Sequence, residues 1–463
     1  MTTPTLQRPD IDWRRFAEGL GGVPYSLDAS LIERRSRDFY WFSPILKETL
    51  RGARADLIVE PRDEADVLAV AAACVERRVP LTVRGAGTGN YGQAMPLQGG
   101  VVLDMRRMTR VRRMADGVLC CEAGLKLIDA DNAAREQGWE LRLFPSTKRT
   151  ATIGGFIAGG SSGVGAIQYG YLRDAGNVLG LGVVTMEDTP RALELRGADV
   201  LSAAHAYGAN GIITEVEIAL APAVPWVDAV AATDDLMGAA RFAQALSEAD
   251  GIAKQEVSVY DAAIPPYFPN LDVPPGKAAC LLTVAESSME ALGELASEHG
   301  AEVVYTKRGP ESGRTRPLYE FTWNHTTLHA INADLSITYL QTLYPIDPTL
   351  APVEAVWREF GDEVPMHLEF VRWRGQIACA GLPLVRYTTP ERLRELIERH
   401  EAMGITVFDP HTHILEDGGM KAVDPVQLDF KRRMDPHGLM NPGKMRGWWS
   451  EQPAPRRDTL IFP

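Results

Sequence analysis

The chain has 463 residues, 45% hydrophobic and 24% charged, an ordinary globular composition long enough for about two to three domains. Its formal net charge of −13 excludes a general attraction to nucleic-acid backbones or anionic lipid, so any anionic ligand must be met by a local site. No run of about 18 apolar residues predicts a membrane span, and the opening "MTTPTLQRPD" has no apolar signal core, so the cytoplasm is the expected location. The five cysteines, Cys74, Cys120, Cys121, Cys280 and Cys379, show no C-x-x-C spacing and read as small hydrophobes without chemistry.

In chain order, residues 1–50 read as an N-terminal extension. From about Asp56 to Pro222, short β-rich runs alternate with glycine-rich loops: "LIVEP", "LTVRG", "VVLDM", "VLCCEAG", "VLGLGVVT" and "GIITEVEIAL". With the single long helix "EADVLAVAAACVERR", which Asp63 is placed to cap, they predict an α+β domain.

The run "LTVRGAGTGNYGQ" raises the question of a bound phosphate. Gly87, Gly89 and Gly92 fit G-x-G-x-x-G, and Asp104 follows roughly where a ribose-binding acid is expected. A Rossmann fingerprint, however, opens a helix, and here only "QAMPLQGG" separates the loop from the next strand. The order is helix, strand, glycine loop, strand. Such a loop still cradles a pyrophosphate if its backbone N–H groups converge as a nest; the alternative is a tight surface turn.

The segment "FPSTKRTATIGGFIAGGSSGVGAIQYGYLRD" lacks the period of a helix or strand, and so long a loop in a compact domain is usually functional. After "APAVPW" the pattern changes. "AACLLTVA", "SMEALGELASEHG" and "EVVYTKR" read strand, helix, strand; "MHLEFVRW" and "GQIACAGLPLV" read as a hairpin, followed by the helix "PERLRELIERHEAMG" and the strand "ITVFD". These β-α-β units predict a second, ferredoxin-like α+β domain. The tail carries "PVQLDFKRRM" and the turn-rich "DPHGLMNPGKM".

The loop "RGAGTGNYGQ", the pair "FPSTKRTATIGG" and "AGGSSG", the run "QYGYLRD…VLGLGVVT", "YGANGIIT" and the closing "NPGKM" together resemble the vanillyl-alcohol oxidase and p-cresol methylhydroxylase type of FAD-binding fold. Within it the glycolate oxidase and D-lactate dehydrogenase branch is nearest. The resemblance covers residues 50–222 and the tail. It implies a two-part FAD-binding PCMH-type domain in 51–222, an α+β cap and substrate domain in 223–415, and a C-terminal segment, 416–463, returning to the FAD domain. FAD is the implied cofactor. Arg84, Gly85, Ala86, Gly87, Thr88, Gly89 and Asn90 would wrap its pyrophosphate. Pro145, Ser146, Thr147, Gly154, Gly155, Gly160, Ser161 and Ser162 would line the ribityl chain and isoalloxazine, and Gly208, Gly211, Ile212 and Ile213 the adenine end. The loop offers Thr88 and Asn90 where many members carry a flavin-linking histidine or cysteine, so attachment there is not expected. The metal-binding "GDGNLH" segment of the 2-hydroxy-acid branch is absent, and near the place of its "EHG" segment stands "FDPHTHILEDGG".

That segment sets His411 and His413 at alternate positions of an extended-looking run, with Asp409, Glu416 and Asp417 nearby. Three readings compete: a catalytic pair with a histidine as general base, on a hydroxyl whose carbon loses hydride to flavin N5; a metal site; and a structural pair. In "YEFTWNHTTLHA", Tyr319, Trp323, Asn324, His325 and His329 supply either a substrate wall or an ordinary amphipathic helix. Arg372 and Arg374 clamp a carboxylate if they face the pocket, and otherwise are solvated.

The expected function is FAD-dependent removal of a hydride from a hydroxylated carbon, of a 2-hydroxy acid or related alcohol, with no metal assigned. A phenolic substrate aided by Tyr169, Tyr171 or Tyr207, and a flavin-carrying electron-relay subunit, are the alternatives. The electron acceptor is open among dioxygen, a quinone, a cytochrome and an electron-transfer flavoprotein, and a homo-oligomer is allowed for.

Overall fold

The computed structural model describes residues 10–160, 162–308 and 316–449. The helix Glu64–Arg77 is capped by Asp63, whose side chain accepts from the Asp66 N–H, and it ends at Arg78 with φ +55°. Its apolar stripe, Val67, Val70 and Cys74, packs on Leu57, Val59, Leu81, Val101 and Leu103. Each such fully buried Val or Leu contributes roughly 1.5–3 kcal/mol. These residues belong to a four-stranded sheet in which Leu57–Val59 and Leu81–Arg84 both run parallel to Val101–Asp104. The order helix, strand, glycine loop, strand is the one read from the sequence. Asp104 takes no part in a ribose site: it is buried in ion pairs with Arg35 and Arg106 at 3.0 and 2.7 Å.

A second, antiparallel sheet is centred on the long strand Ile212–Pro222, flanked by Val118–Glu122 and Val178–Val184. Against it lies a helix in the segment expected to lack regular structure. Ile153–Gly159 is helical because Thr152 caps it, accepting from the Gly155 N–H, and because Gly154 permits close approach to Ala123. A Cβ on Gly154 would stand 2.6 Å from the Ala123 Cβ and 2.9 Å from its carbonyl oxygen. Propensity gave no hint of this helix; packing selects it.

The third sheet has eight antiparallel strands and resolves into two ferredoxin-like units. The first comprises Trp226–Thr233, Lys254–Tyr260, Ala278–Ala285 and Glu302–Arg308, in the spatial order fourth, first, third, second. The second, Thr342–Leu343, His367–Trp373, Gln376–Gly381 and Thr406–Val407, repeats that order in reverse. They join where Lys254–Tyr260 pairs with His367–Trp373. The strand expected from "ITVFD" is only Thr406–Val407 long, after which the chain turns.

Both ends of the described chain close on the first sheet. Tyr25–Ser26 forms its edge strand, and the Phe39 N–H donates to the Gly89 carbonyl at 2.7 Å. From the tail, the Leu439 carbonyl accepts from the Leu81 N–H (2.8 Å), and the Asn441 N–H donates to the Leu81 carbonyl (2.7 Å). Among the described residues no helix is long and apolar enough to cross a membrane.

Candidate active site

Two cavities, one larger than the other, lie end to end. Thr88, Gly89, Gln93, Gly155, Gly159 and Tyr207 stand in the walls of both, so the two cavities adjoin. The smaller runs between the glycine loop and the second sheet. The larger continues beneath the eight-stranded sheet.

The smaller cavity is lined by Gly85, Ala86, Gly87, Gly154, Gly208, Gly211 and Ile213, all expected at a cofactor. Side chains would fill the space the loop occupies: a Cβ on Gly85 would overlap the Thr152 hydroxyl, and one on Gly87, whose φ is +70°, the Arg84 guanidinium. Gly89 differs from Gly87. Its φ is not positive, and a Cβ there would meet only the flexible amide end of Gln93. Arg84 does not present itself to the cavity. Its guanidinium is buried beneath the loop, donating to the carbonyls of Arg37 (2.6 Å) and Ala86 (3.0 Å), and burial lowers its pKa to about 10. Ile212 is also corrected: strand alternation turns it away from Ile213 into the core with Val184. Ser161 lies outside the described residues.

A buried frame fixes the loop from behind. Asn441 donates to the Gln93 carbonyl at 2.8 Å and to that of Tyr207 at 2.5 Å. Fully buried Lys444 donates to the Gly92 carbonyl, and Asp38 accepts from the Tyr40 and Ala94 N–H groups. Burial pushes the Asp38 carboxyl up to about 6 and the Lys444 amine down to about 7, while each charge favours the other.

The larger cavity takes Thr88, Asn90, Pro145, Ser146, Thr147, Gly155, Gly160 and Ser162 from one side and Trp323, Asn324 and His325 from the other. Asn324 and His325 open the helix Asn324–Ala333. The Asn324 amide stands near the Tyr339 hydroxyl, yet its buried Nδ2 makes no hydrogen bond. Burial lowers the His325 pKa to about 4, so the ring is neutral. His329, one turn on, stacks on Phe321 and bonds through Nε2 to the Glu320 carbonyl (3.0 Å), facing an outer pocket that His325 also borders.

The tail histidines are placed otherwise than expected. Residues 409–413 form a turn, stabilised where Asp409 accepts from the His411 N–H at 2.8 Å, so the alternation of an extended strand does not apply. His411 is buried with both ring nitrogens engaged. Its Nε2–H donates to the Tyr339 carbonyl (3.0 Å), which leaves Nδ1 to accept from the Ser43 hydroxyl (2.8 Å). His413 sits near Gly92, where burial and then the Lys444 charge lower its pKa to about 3. Neither ring stands in the wall of either cavity. The arginine clamp is not formed: Arg372 donates to the Gly375 carbonyl within its own hairpin, and exposed Arg374 lies over the Trp373 ring. Among the described residues no group of three or more His, Cys, Asp or Glu side chains is placed to hold a metal ion.

Sequence reading missed much of the wall. Phe39 and Phe42 enter it from the N-terminal segment, Gln341, Leu343 and Phe408 from the second ferredoxin-like unit, and Tyr91 and Gln93 from the glycine loop itself. His205 is there too, with φ +53° and a pKa that burial lowers to about 3. The one available signal was adjacency: Tyr91 and Gln93 follow the loop glycines directly.

Residues 55–191 match the FAD binding domain family. The chain is 37% identical over 125 residues to D-lactate dehydrogenase of Archaeoglobus fulgidus, covering 27% of this chain and 28% of that one. Over 176 residues it is 31% identical to glycolate oxidase subunit GlcD of Bacillus subtilis, covering 36% and 37%. The matched stretches thus span about a third of these relatives' length. Across nearly the whole chain the fold is that of a solved alkyldihydroxyacetonephosphate synthase, with a TM-score of 0.72 at 17% identity over 95% of this chain and 89% of the other. The fold is therefore of the FAD-binding PCMH type, and FAD is the cofactor of its FAD binding domain. The cavities agree with that group: the smaller one is walled largely by glycine backbone packed so tightly on Thr152, Arg84 and Ala123 that a Cβ has no room, and it adjoins a larger chamber roofed by another sheet.

Proposed function

We propose that the chain is a FAD-dependent oxidoreductase that removes a hydride and a proton from a hydroxylated carbon, as in a 2-hydroxy acid or related alcohol. The observation that supports it is the adjacency of the two cavities, which sets a glycine-walled cradle against a chamber walled by Trp323, Asn324 and His325. FAD, when bound, supplies the two-electron acceptor. The chain's own part is to orient the alcohol and take its proton. Asn324, which borders the chamber, would bond the substrate oxygen, and the neutral His325 ring would offer a nitrogen to accept the hydroxyl proton. Phe42, Trp323 and Phe408 give the chamber an apolar aromatic lining.

A second reading, a phenolic or other neutral aromatic alcohol, is favoured by the make-up of that wall. It is rich in aromatic rings and, among the described residues, contains no Lys, Arg, Asp or Glu to meet a carboxylate. Burial raises the hydroxyl pKa of Tyr171 and Tyr207, so both stay protonated and deprotonation would fall to His325. Anaerobic mixing of the holoprotein with 2-hydroxy acids and with neutral benzylic and phenolic alcohols tests both readings through loss of the oxidised-flavin absorbance. Bleaching by one class assigns the substrate. Bleaching by none, with dithionite still effective, returns the protein to the electron-relay class. Adding dioxygen, a quinone, a cytochrome or an electron-transfer flavoprotein to the reduced form then identifies the acceptor.

A further inference from the structure

Behind the chamber wall lies a buried acidic cluster with no part in the chemistry above. Glu256, Ser258, His367 and Glu369 are all at most 3% exposed. The Ser258 hydroxyl oxygen stands 2.6 Å from Glu256 Oε1 and 2.5 Å from Glu369 Oε2. Glu369 Oε1 accepts from the Trp323 backbone N–H at 2.7 Å and meets His367 Nε2 at 2.8 Å. Among the described residues neither carboxyl has an arginine or lysine partner, and His367 is stacked on Tyr260.

Proton counting settles the arrangement. A hydroxyl carries one proton and can donate to one carboxyl only, so the other short contact needs a proton on the carboxyl. Glu369 Oε1 accepts from the Trp323 N–H and, in the tautomer protonated at Nε2, from His367, so the anion is assigned to Glu369. Glu256 therefore carries the proton, donating from Oε1 to the Ser258 oxygen, while the Ser258 hydroxyl donates to Glu369 Oε2. His367 donates from Nε2, and its Nδ1 makes no hydrogen bond. Burial raises both carboxyls and lowers the imidazole to about 3, but the Glu256, Ser258 and Trp323 donors hold Glu369 back to about 7 while the Glu369 charge drives Glu256 further up, which favours the proton on Glu256.

The anion's target is unusual. Trp323 has φ +50° and ψ −138°, a conformation that a bulky L-residue avoids, and it immediately precedes Asn324 and His325. Its N–H is held by Glu369, and its indole Nε1 points to Glu256 Oε2 at 3.4 Å. We propose that Glu256, Ser258 and Glu369 form a proton-sharing chain with one negative charge that positions Trp323, and through it the Asn324 and His325 wall, for substrate. This rests on the reading of the chamber as a substrate site.

Two measurements test it. In the infrared difference spectrum of wild type minus Glu256→Gln at neutral pH, a protonated-carboxyl C=O band is expected; its absence overturns the proton assignment and needs no substrate. In flavin reduction by the panel alcohol or hydroxy acid that bleaches wild type, Glu256→Gln should stay within about threefold in KM and kcat, because an amide N–H replaces the acid proton. Glu369→Gln should raise KM about tenfold or more with kcat within about threefold, and Ser258→Ala, which keeps both carboxyls, should shift KM in the same direction. Equal damage from both glutamine variants, or no KM change in Glu369→Gln and Ser258→Ala, overturns the proposal. A panel to which wild type is inert sinks the substrate reading, while the infrared band still decides the chain.

Discussion

The two sides of the adjoining cavities are built from different materials. The glycine-loop side is mostly backbone and small residues, drawn chiefly from three compact stretches and braced from behind by Arg84, Asn441 and Lys444. The cap side is made of large side chains brought from Phe39 to Phe408, with a strained tryptophan at its centre. A cradle that recognises a ligand by close backbone approach must be written in glycines. A wall that discriminates by shape and by a few polar groups can be assembled from almost anywhere.

That contrast is open to attack on each side. On the cap side, His325→Ala should leave FAD bound and slow flavin reduction by about 10²–10⁴-fold, read by stopped-flow absorbance. A wild-type rate would move proton acceptance to another group. On the cradle side, Gly154→Val forces the helix Ile153–Gly159 off Ala123 at a cost on the order of 1–3 kcal/mol, hence roughly 5–150-fold weaker FAD retention by filtration, with cap structure kept. Full flavin content there would mean the helix can shift without harm to the site.

His411→Ala belongs to neither side. It strips the Tyr339 carbonyl and the Ser43 hydroxyl of a buried partner, so we expect about 1–3 kcal/mol lost in denaturant unfolding and little change in reduction rate. A large rate loss with unchanged stability would restore it as a catalytic group. The smallest expected effect is on pH dependence. The proton-accepting, neutral form of His325 exists above its pKa and is lost as pH falls through about 4, so reduction should hold steady from pH 8 to pH 5. A fall centred at about 6.5 would show that another group titrates, a different histidine, the Asp38–Lys444 pair behind the loop or Glu369 behind the wall.

What could be read in advance follows the same division. Gly85, Gly87, Gly208 and Gly211 line the smaller cavity as their spacing suggests, because close backbone packing leaves the sequence little freedom there. The paired β-α-β units were legible through strand and helix periods, though their edge-to-edge union was not. Ile212 was misplaced by treating consecutive strand residues alike, when alternation sends only Ile213 to the cavity. His411 and His413 were misread because a two-residue period has meaning only in a strand, and the strand stops at Val407. Phe39, Gln341 and Phe408 carry no local pattern at all; only the folded chain brings them to one wall.

A crystal structure of the FAD-loaded protein tests the central claim most directly, that the two cavities are one site. Continuous dinucleotide density should run from Gly208 and Ile213 past Gly155 to the chamber beneath Trp323 and His325. Density confined to another part of the molecule, or a flavin ring system outside the chamber, would contradict it.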